Sequence, residues 1–223
     1  MPGDELVGVD EAGKGPVLGS MFAAAVRVPD RTVLPEGLDD SKRLSPDRRE
    51  SLARTLREHP EVAVGVHEVT VERIDDPETD MNRLTVAAHA SAAGQIVAGG
   101  DRVLADACDT NEARFADRLG RQLDSDAAVD ADATVRAEHS ADETHAVVSA
   151  ASIVAKVSRD AHVADLADRH GELGSGYPSD PATQAFLESY VDDHGTVPPC
   201  ARESWSTCEK LLAAREQAGL GEF

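Results

Sequence analysis

Apolar and polar positions along the chain fall into two patterns, and these patterns predict both strands and helices. Short apolar runs or alternating segments predict strands, whereas longer segments with helical spacing predict helices. The predicted strands cover 5–10, 19–28, 61–69, 101–107 and 134–140, and the predicted helices cover 45–59, 80–98, 109–123, 145–170, 182–194 and 204–218. Three strands followed by alternating helices and strands predict an α/β or α+β sheet with helices on its faces.

Two predicted helix starts carry recognisable capping signals. Ser45 suits the N-cap position and Pro46 the first helical position. Asp109 and Glu112 have the spacing of a capping box, so we expect Asp109 to serve the start of its helix.

Composition limits the classes of protein that the chain can belong to. Hydrophobic residues make up 41% but aromatic residues only 3%, which predicts a core of Ala, Val, Leu and Ile. No apolar segment approaches the roughly 18 residues that would span a bilayer, and no secretory signal is visible. Three cysteines without a CxxC pair argue against a disulfide framework or a structural zinc site. We therefore expect a cytoplasmic protein with no membrane partner.

The charge balance is strongly acidic, with 42 Asp and Glu against 22 Lys and Arg and a formal net charge of −20. Taken alone, this charge argues against binding a polyanion such as nucleic acid. However, 24 aspartates are scattered along the chain and only four of the 22 basic residues are lysines. Such a surface suits concentrated salt, where screening removes self-repulsion. We therefore infer a halophilic cytoplasm, in which local charges rather than total charge identify the partner.

Acidic residues follow or end several of the predicted strands. Asp10 and Glu11 come after the first apolar run, Asp106 ends a later strand, and Asp142 lies between a strand and the long helix. Neighbouring strands lie about 4.8 Å apart, so acids at their ends converge and raise one another's pKa unless a cation lies among them. Carboxylate oxygens suit Mg²⁺ or Mn²⁺, so these acids predict metal-assisted phosphoryl chemistry.

Alternative roles exist for some of the polar residues. Asp142 or Thr144 could simply cap the long helix. No two histidines have metal-ligand spacing, so His89 and the other histidines are expected to be structural or solvated.

Five ordered motifs resemble those of the ribonuclease HII family in its archaeal form. They are "GVDEAGKGPVLGSMFAAAV", "DSKRL", "ADACD", "VVSAASIVAKVSRD" and "GSGYPSDP", and the resemblance extends from about residue 5 to about residue 210. It implies an α/β, ribonuclease H-like mixed sheet flanked by helices. It also implies a catalytic domain over 1–178 and a C-terminal helical, substrate-binding extension over 179–223.

The resemblance also implies an activity. Members of the family cut the RNA strand of RNA–DNA hybrids, and cut duplex DNA 5′ of single embedded ribonucleotides, as ribonucleotide excision repair requires. By resemblance, Asp10, Glu11, Asp106 and Asp142 are the catalytic residues and hold two Mg²⁺ or Mn²⁺ ions. Two-metal-ion hydrolysis leaves a 3′-hydroxyl and a 5′-phosphate.

Substrate recognition is implied at two loops and at several cations. The turn Gly13-Lys14-Gly15 matches the family turn that approaches the ribonucleotide 2′-hydroxyl, where a Cβ would obstruct contact. Tyr177 matches a tyrosine that favours a deoxyribose at the next sugar. The implied contacts to the phosphate backbone are Lys42, Lys156 and Arg159.

One departure from the family pattern leaves alternatives open. The usual turn in the family is Gly-Arg-Gly, and Lys14 makes this turn more similar to that of ribonuclease HIII. Because Arg and Lys are not equivalent in contacts to phosphate, cleavage at an RNA–DNA junction could be weaker than cleavage of a hybrid. The alternatives are an HIII-like or resolvase-like nuclease, or a hybrid-binding module without catalysis. The terminal "LGEF" has no convincing docking motif, but clamp binding in the family that the chain resembles leaves a sliding-clamp partner open. A monomer is the default expectation.

Overall fold

The structure is a computed structural model that describes residues 6–38, 44–125 and 133–220, with side chains through residue 217. The strands are β1 Leu6–Ala12, β2 Met21–Val28, β3 Ala63–Val69, β4 Arg102–Asp106 and β5 Thr134–Glu138. The helices are α1 Pro46–Glu58, α2 Val71–Ile74, α3 Met81–Gly94, α4 Glu112–Ser125, α5 Ala141–Thr144, α6 Ala146–His170, α7 Pro181–His194 and α8 Ser206–Leu220, with a 3-10 turn at Arg31–Val33. Within the described ranges, no helix is long and apolar enough to cross a membrane.

The five strands form one sheet in the order β3-β2-β1-β4-β5. Strand β1 runs antiparallel to β2 and parallel to β4, and β4 runs parallel to β5. This arrangement confirms the predicted mixed sheet with flanking helices. It also places the carboxyl ends of β1, β4 and β5 at the same edge of the sheet.

Helices α1 and α6 cover one face of the sheet through a core of small apolar side chains. Gly8 on β1 makes this packing possible, because a Cβ at this position would lie only 2.2 Å from the carbonyl oxygen of Val147 on α6. The backbone of α6 therefore lies directly against β1. Buried Ala and Val residues dominate this core, as the low aromatic content predicts.

The opposite face carries α3 and α4. Helix α3 packs against β1 and α4, and α4 packs against β5. Gly65 on β3 allows α3 to approach closely, since a Cβ there would lie 2.2 Å from the carbonyl oxygen of Ala92.

The chain divides into two compact units. The first contains the described residues within Met1–Ala12, Phe22–Glu68 and Asp80–Arg159, and the second contains those within Gly13–Met21, Val69–Thr79 and Asp160–Phe223. The second unit has its own apolar core, whose fully or nearly fully buried members are Val17, Leu18, Leu166, Leu173, Leu187, Cys200, Ala201 and Cys208. The predicted domain boundary between 178 and 179 stays a prediction.

Most predicted helix starts are confirmed, and one is wrong. Ser45 caps α1 by accepting from the backbone N–H of Arg48, with Pro46 in the first turn. Helix α4 is not capped by Asp109: the side chain of Asn111 accepts from the backbone N–H of Arg114 instead. The side chain of Asp109 accepts hydrogen bonds from the Arg114 guanidinium, so Asp109 is structural but in a different role.

Candidate active site

Strand β1 sends its two acids to opposite faces of the sheet, because side chains alternate along a strand. Asp10 shares a face with Gly8 and therefore points toward the side of α6, and its side chain is only 5% exposed. Glu11 points toward α3. The backbone N–H of Glu11 donates to Oδ1 of Asp10 at 2.7 Å, which holds the first carboxylate at the end of the strand.

Asp106 reaches the same edge from the neighbouring parallel strand. Val9 of β1 is paired with Ala105 of β4, so Asp10 and Asp106 are the next residues on two adjacent strands. Oδ1 of Asp106 accepts a hydrogen bond from the backbone N–H of Ala141 at 2.7 Å. This bond attaches the start of α5 to the end of β4.

Asp142 is the second residue of α5 and is 6% exposed. The preceding Ser140 has a φ of 54°, a left-handed conformation that non-glycine residues rarely adopt. The chain turns sharply there, which directs the N–H of Ala141 toward Asp106. Such conformations concentrate at functional sites, where the surrounding structure enforces them.

The acids influence one another electrostatically. Burial and the charges on Glu11 and Asp106 raise the pKa of Asp10 well above its ordinary value. Burial also raises the pKa of Asp106, together with the charges on Asp142 and Glu11, although the hydrogen bond from Ala141 opposes this shift. The structure thus brings all four predicted acids into one electrostatically coupled group, which we call the acidic group.

The chemistry of this group fits a hard divalent cation. Buried carboxylates that raise one another's pKa gain stability from a neighbouring positive charge, and their oxygens are the ligands that Mg²⁺ and Mn²⁺ prefer. In the part of the chain that the structure describes, no three His, Cys, Asp or Glu side chains are already arranged as a group that could hold a metal ion. Mg²⁺ commonly takes only one or two carboxylates and keeps several waters, so a pair of these acids would suffice.

His89 is a further residue at this site that the sequence analysis missed. Its Nε2 lies 2.8 Å from Oε2 of Glu11; the histidine side chain is fully buried and that of Glu11 is 10% exposed. The available signal was weak: a single polar ring in the apolar stretch "LTVAAHASAA" on α3.

Asp109 stands apart from the acidic group. Its carboxylate pairs with Arg114 and lies 3.5 Å from Arg118, and the hydrogen bonds and charge of Arg114 lower the pKa of Asp109 to about 2. A carboxylate that is already paired with arginine is a poor candidate for a metal ligand.

The predicted recognition turn lies in the second unit and is held by a buried arginine. Arg202 donates from Nη2 to the carbonyl oxygen of Gly13 at 2.6 Å, from Nη1 to that of Lys14 at 3.0 Å and from Nε to that of Gly19 at 3.0 Å. Its guanidinium carbon lies 5.0 Å from the ring centroid of Trp205. The sequence analysis did not single out Arg202, which fixes the shape of the turn through main-chain oxygens.

Tyr177 lies beside the same turn within this unit. A Cβ added at Gly15 would lie 3.5 Å from Cε1 of Tyr177, and the tyrosine side chain is 43% exposed. The carbonyl oxygen of Gly176 accepts from the N–H groups of Val17 at 2.8 Å and Leu18 at 3.2 Å. The segment that follows the turn is therefore joined to the Tyr177 loop by hydrogen bonds.

The remaining predicted substrate contacts are less defined. Lys42 lies outside the described residues. Lys156 and Arg159 are half-buried and one turn apart on α6. Their role as phosphate contacts stays a prediction.

A sequence model of the family described as Ribonuclease HII matches residues 7–208. The chain belongs to the ribonuclease HII family. The family consists of metal-dependent endoribonucleases, so the protein is an enzyme of this class. This result confirms the resemblance in the five motifs and favours HII over the HIII-like, resolvase-like and non-catalytic alternatives.

Relatives and solved structures agree with this assignment. Ribonuclease HII of the halophilic archaeon Haloarcula marismortui is 56% identical over 216 residues, which cover 97% of this chain and 99% of the relative. The crystal structure of ribonuclease H2 from Pyrococcus horikoshii has a TM-score of 0.85 at 34% identity, covering 96% of this chain and 99% of that one. The ribonuclease HII in a complex with PCNA from Archaeoglobus fulgidus has a TM-score of 0.81 at 33% identity, covering 92% and 96%.

Proposed function

We propose that this ribonuclease HII cuts the RNA strand of RNA–DNA hybrids and cuts duplex DNA on the 5′ side of a single embedded ribonucleotide. The observation that carries the proposal is the acidic group, which gathers Asp10, Glu11, Asp106 and Asp142 from three separate segments at one edge of the sheet. The products have 3′-hydroxyl and 5′-phosphate ends, and this activity serves ribonucleotide excision repair.

The acidic group is proposed to hold two divalent ions, Mg²⁺ or Mn²⁺. When bound, such ions activate water for attack on phosphorus and stabilise charge on the leaving oxygen. The protein's own contribution is to hold the carboxylates in place before substrate arrives. The Glu11 N–H performs this task for Asp10, and the Ala141 N–H performs it for Asp106.

Discrimination of RNA from DNA is proposed to rest on the turn Gly13-Lys14-Gly15 and on Tyr177. The 2′-hydroxyl is the group by which a protein distinguishes the two sugars. A turn without Cβ atoms at its two glycines allows backbone groups to approach that hydroxyl, and Arg202 keeps the turn in one shape. The half-exposed ring of Tyr177 supplies an apolar surface for the adjacent deoxyribose. Lys42, Lys156 and Arg159 are proposed to contact phosphates.

The proposal extends to the salt concentration in which the enzyme works and to its protein partner. The acidic composition and the relative from Haloarcula support an enzyme that functions in concentrated salt, in a cytoplasm of high salt concentration. The Archaeoglobus neighbour was solved as a complex with PCNA, which supports a sliding clamp as a partner of a monomeric enzyme. Size-exclusion chromatography with light scattering, with and without a clamp protein, tests both the monomer and the partner.

The central experiment uses a DNA duplex with one ribonucleotide, a matched all-DNA duplex and an RNA–DNA hybrid. Each is incubated with the enzyme in molar KCl with Mg²⁺, Mn²⁺ or a chelator, and the product ends are mapped. Metal-dependent cuts in the ribonucleotide duplex and the hybrid, but not in all-DNA, are expected. Asp10→Asn should abolish cutting, whereas Asp47→Asn changes an exposed acid by the same charge and should not. Full cutting by Asp10→Asn would contradict the assignment of the acidic group.

A further inference from the structure

His89 on α3 lies next to the carboxylate of Glu11. The Nε2 to Oε2 distance of 2.8 Å is that of a hydrogen bond, and both side chains are almost completely removed from water. When the carboxylate of Glu11 is ionised, it can only accept hydrogen bonds, and Nε2 of His89 is then the donor. The bond uses one of the two oxygens of Glu11.

Besides its contact with Glu11, His89 interacts electrostatically with Asp106. Its nearest ring neighbour is Phe115 on α4, edge-on with centroids 5.4 Å apart. Of the other buried residues on the same helix, Leu84, Val86, Ala90 and Ala93 are apolar, and Thr85 donates its hydroxyl to the carbonyl oxygen of Met81. Packing in this environment favours an apolar side chain at position 89.

The second ring nitrogen makes the choice of histidine more unusual. Nδ1 of His89 is buried and has no hydrogen-bond partner among the described residues. A buried polar atom without a partner destabilises a protein relative to an apolar atom of the same shape. His89 therefore carries a stability penalty, and the contact that offsets it is the hydrogen bond to Glu11.

We propose that His89 is a positioning residue for the metal-binding carboxylate of Glu11. By holding Oε2, it restricts rotation of the carboxylate and leaves the other oxygen for a divalent ion. Ligating carboxylates are commonly held by such outer partners, whose loss weakens metal binding or activity by about 10- to 100-fold. The inference rests on the proposed function of Glu11 as a ligand.

The test measures Mn²⁺ binding by calorimetry without substrate, together with the unfolding temperature in a chelator. His89→Phe keeps a ring of similar size but removes the donor, and His89→Gln keeps a donor. Val86→Ala is the matched control, because it weakens packing on the same helix without touching a polar group. Glu11→Gln reports on the ligand itself.

We expect His89→Phe to weaken Mn²⁺ binding about tenfold or more, and its metal-free unfolding temperature shows separately how far the change affects the fold. His89→Gln should bind Mn²⁺ more tightly than His89→Phe, and Val86→Ala should lose stability but keep its Mn²⁺ affinity. Wild-type affinity in His89→Phe, or equal affinities in the Phe and Gln variants, would overturn the inference. So would a loss of affinity in Val86→Ala that matches the loss in His89→Phe. If Glu11→Gln itself binds Mn²⁺ normally, the proposed ligand set fails instead.

Discussion

Arg202 donates a hydrogen bond to the carbonyl oxygen of Gly13 across 189 residues of sequence. Together with its bonds to Lys14 and Gly19, this makes one buried guanidinium the common support of the proposed recognition turn. The planar fork of arginine donates to the three oxygens from three separate nitrogens, whereas the three donors of a lysine ammonium all belong to one nitrogen.

Arg202→Lys should therefore destabilise the protein and impair recognition. Losing two charge-assisted hydrogen bonds lowers the free energy of unfolding by about 3 kcal/mol, as urea denaturation in high salt can measure. Cleavage of the ribonucleotide duplex should fall while Mn²⁺ binding is retained. Arg169→Lys, on the exposed surface of α6, is the control and should change neither quantity. A stable Arg202→Lys enzyme with normal cleavage would contradict this role.

Asp10→Asn should be more stable than the wild type at neutral pH when metal is absent. The pKa of Asp10 is raised in the folded protein, so its ionised form disfavours folding above the pKa of the unfolded chain. This penalty disappears as the pH falls through the raised pKa, because Asp10 becomes protonated. The stability advantage of Asp10→Asn should accordingly shrink toward acidic pH. Denaturation curves with a chelator at several pH values measure it, and a constant difference would contradict the shift.

Asp109→Asn should behave in the opposite way. The pKa of Asp109 is lowered to about 2 by Arg114, so its ionised form stabilises the fold above the ordinary carboxyl pKa. The variant should be less stable than the wild type at neutral pH, and the difference should diminish as the pH falls from about 4 toward about 2. Metal-dependent cleavage by the folded variant should persist. Loss of Mn²⁺ binding in Asp109→Asn would show that this acid belongs to the metal site after all.

Tyr177→Ala should separate the two proposed substrates. Removing the exposed ring takes away the surface proposed to contact the deoxyribose after a ribonucleotide. Cleavage of the single-ribonucleotide duplex should therefore fall more than cleavage of the RNA–DNA hybrid. Tyr190→Ala is a matched control on α7, since that ring stacks on His194 at 4.1 Å rather than lying beside the turn. Equal losses on both substrates would contradict a role in reading the junction.

The sequence was most informative where its signals are local. Strand alternation, the cap at Ser45 and the proline at 46 depend on residues close in the chain, and the structure confirms the elements that they predict. The order of the five motifs was enough to predict the family. The positions of the acids at the strand ends were enough to predict that they converge.

The residues that the sequence analysis assigned wrongly or missed either have competing partners or have partners far away in the chain. Asp109 has capping-box spacing, but Asn111 is nearer to the helix start and Arg114 competes for the carboxylate. His89 and Glu11 are 78 residues apart, and Arg202 and Gly13 are 189 apart. No local pattern distinguishes such residues from an ordinary buried histidine or a surface arginine; only the folded chain shows their partners.

The missing side chain at Gly8 has a consequence for any redesign of this enzyme. At this position the main chain of α6 packs against the main chain of β1. No side chain lies between them that could move to accommodate a displacement. Lengthening the acid two residues further on, as in Asp10→Glu, would move its carboxyl by one methylene while the close packing of α6 holds the strand in place. Metal preference is therefore expected to be easier to alter from the side of α3, where the ring of His89 rather than a backbone contacts the proposed ligand Glu11.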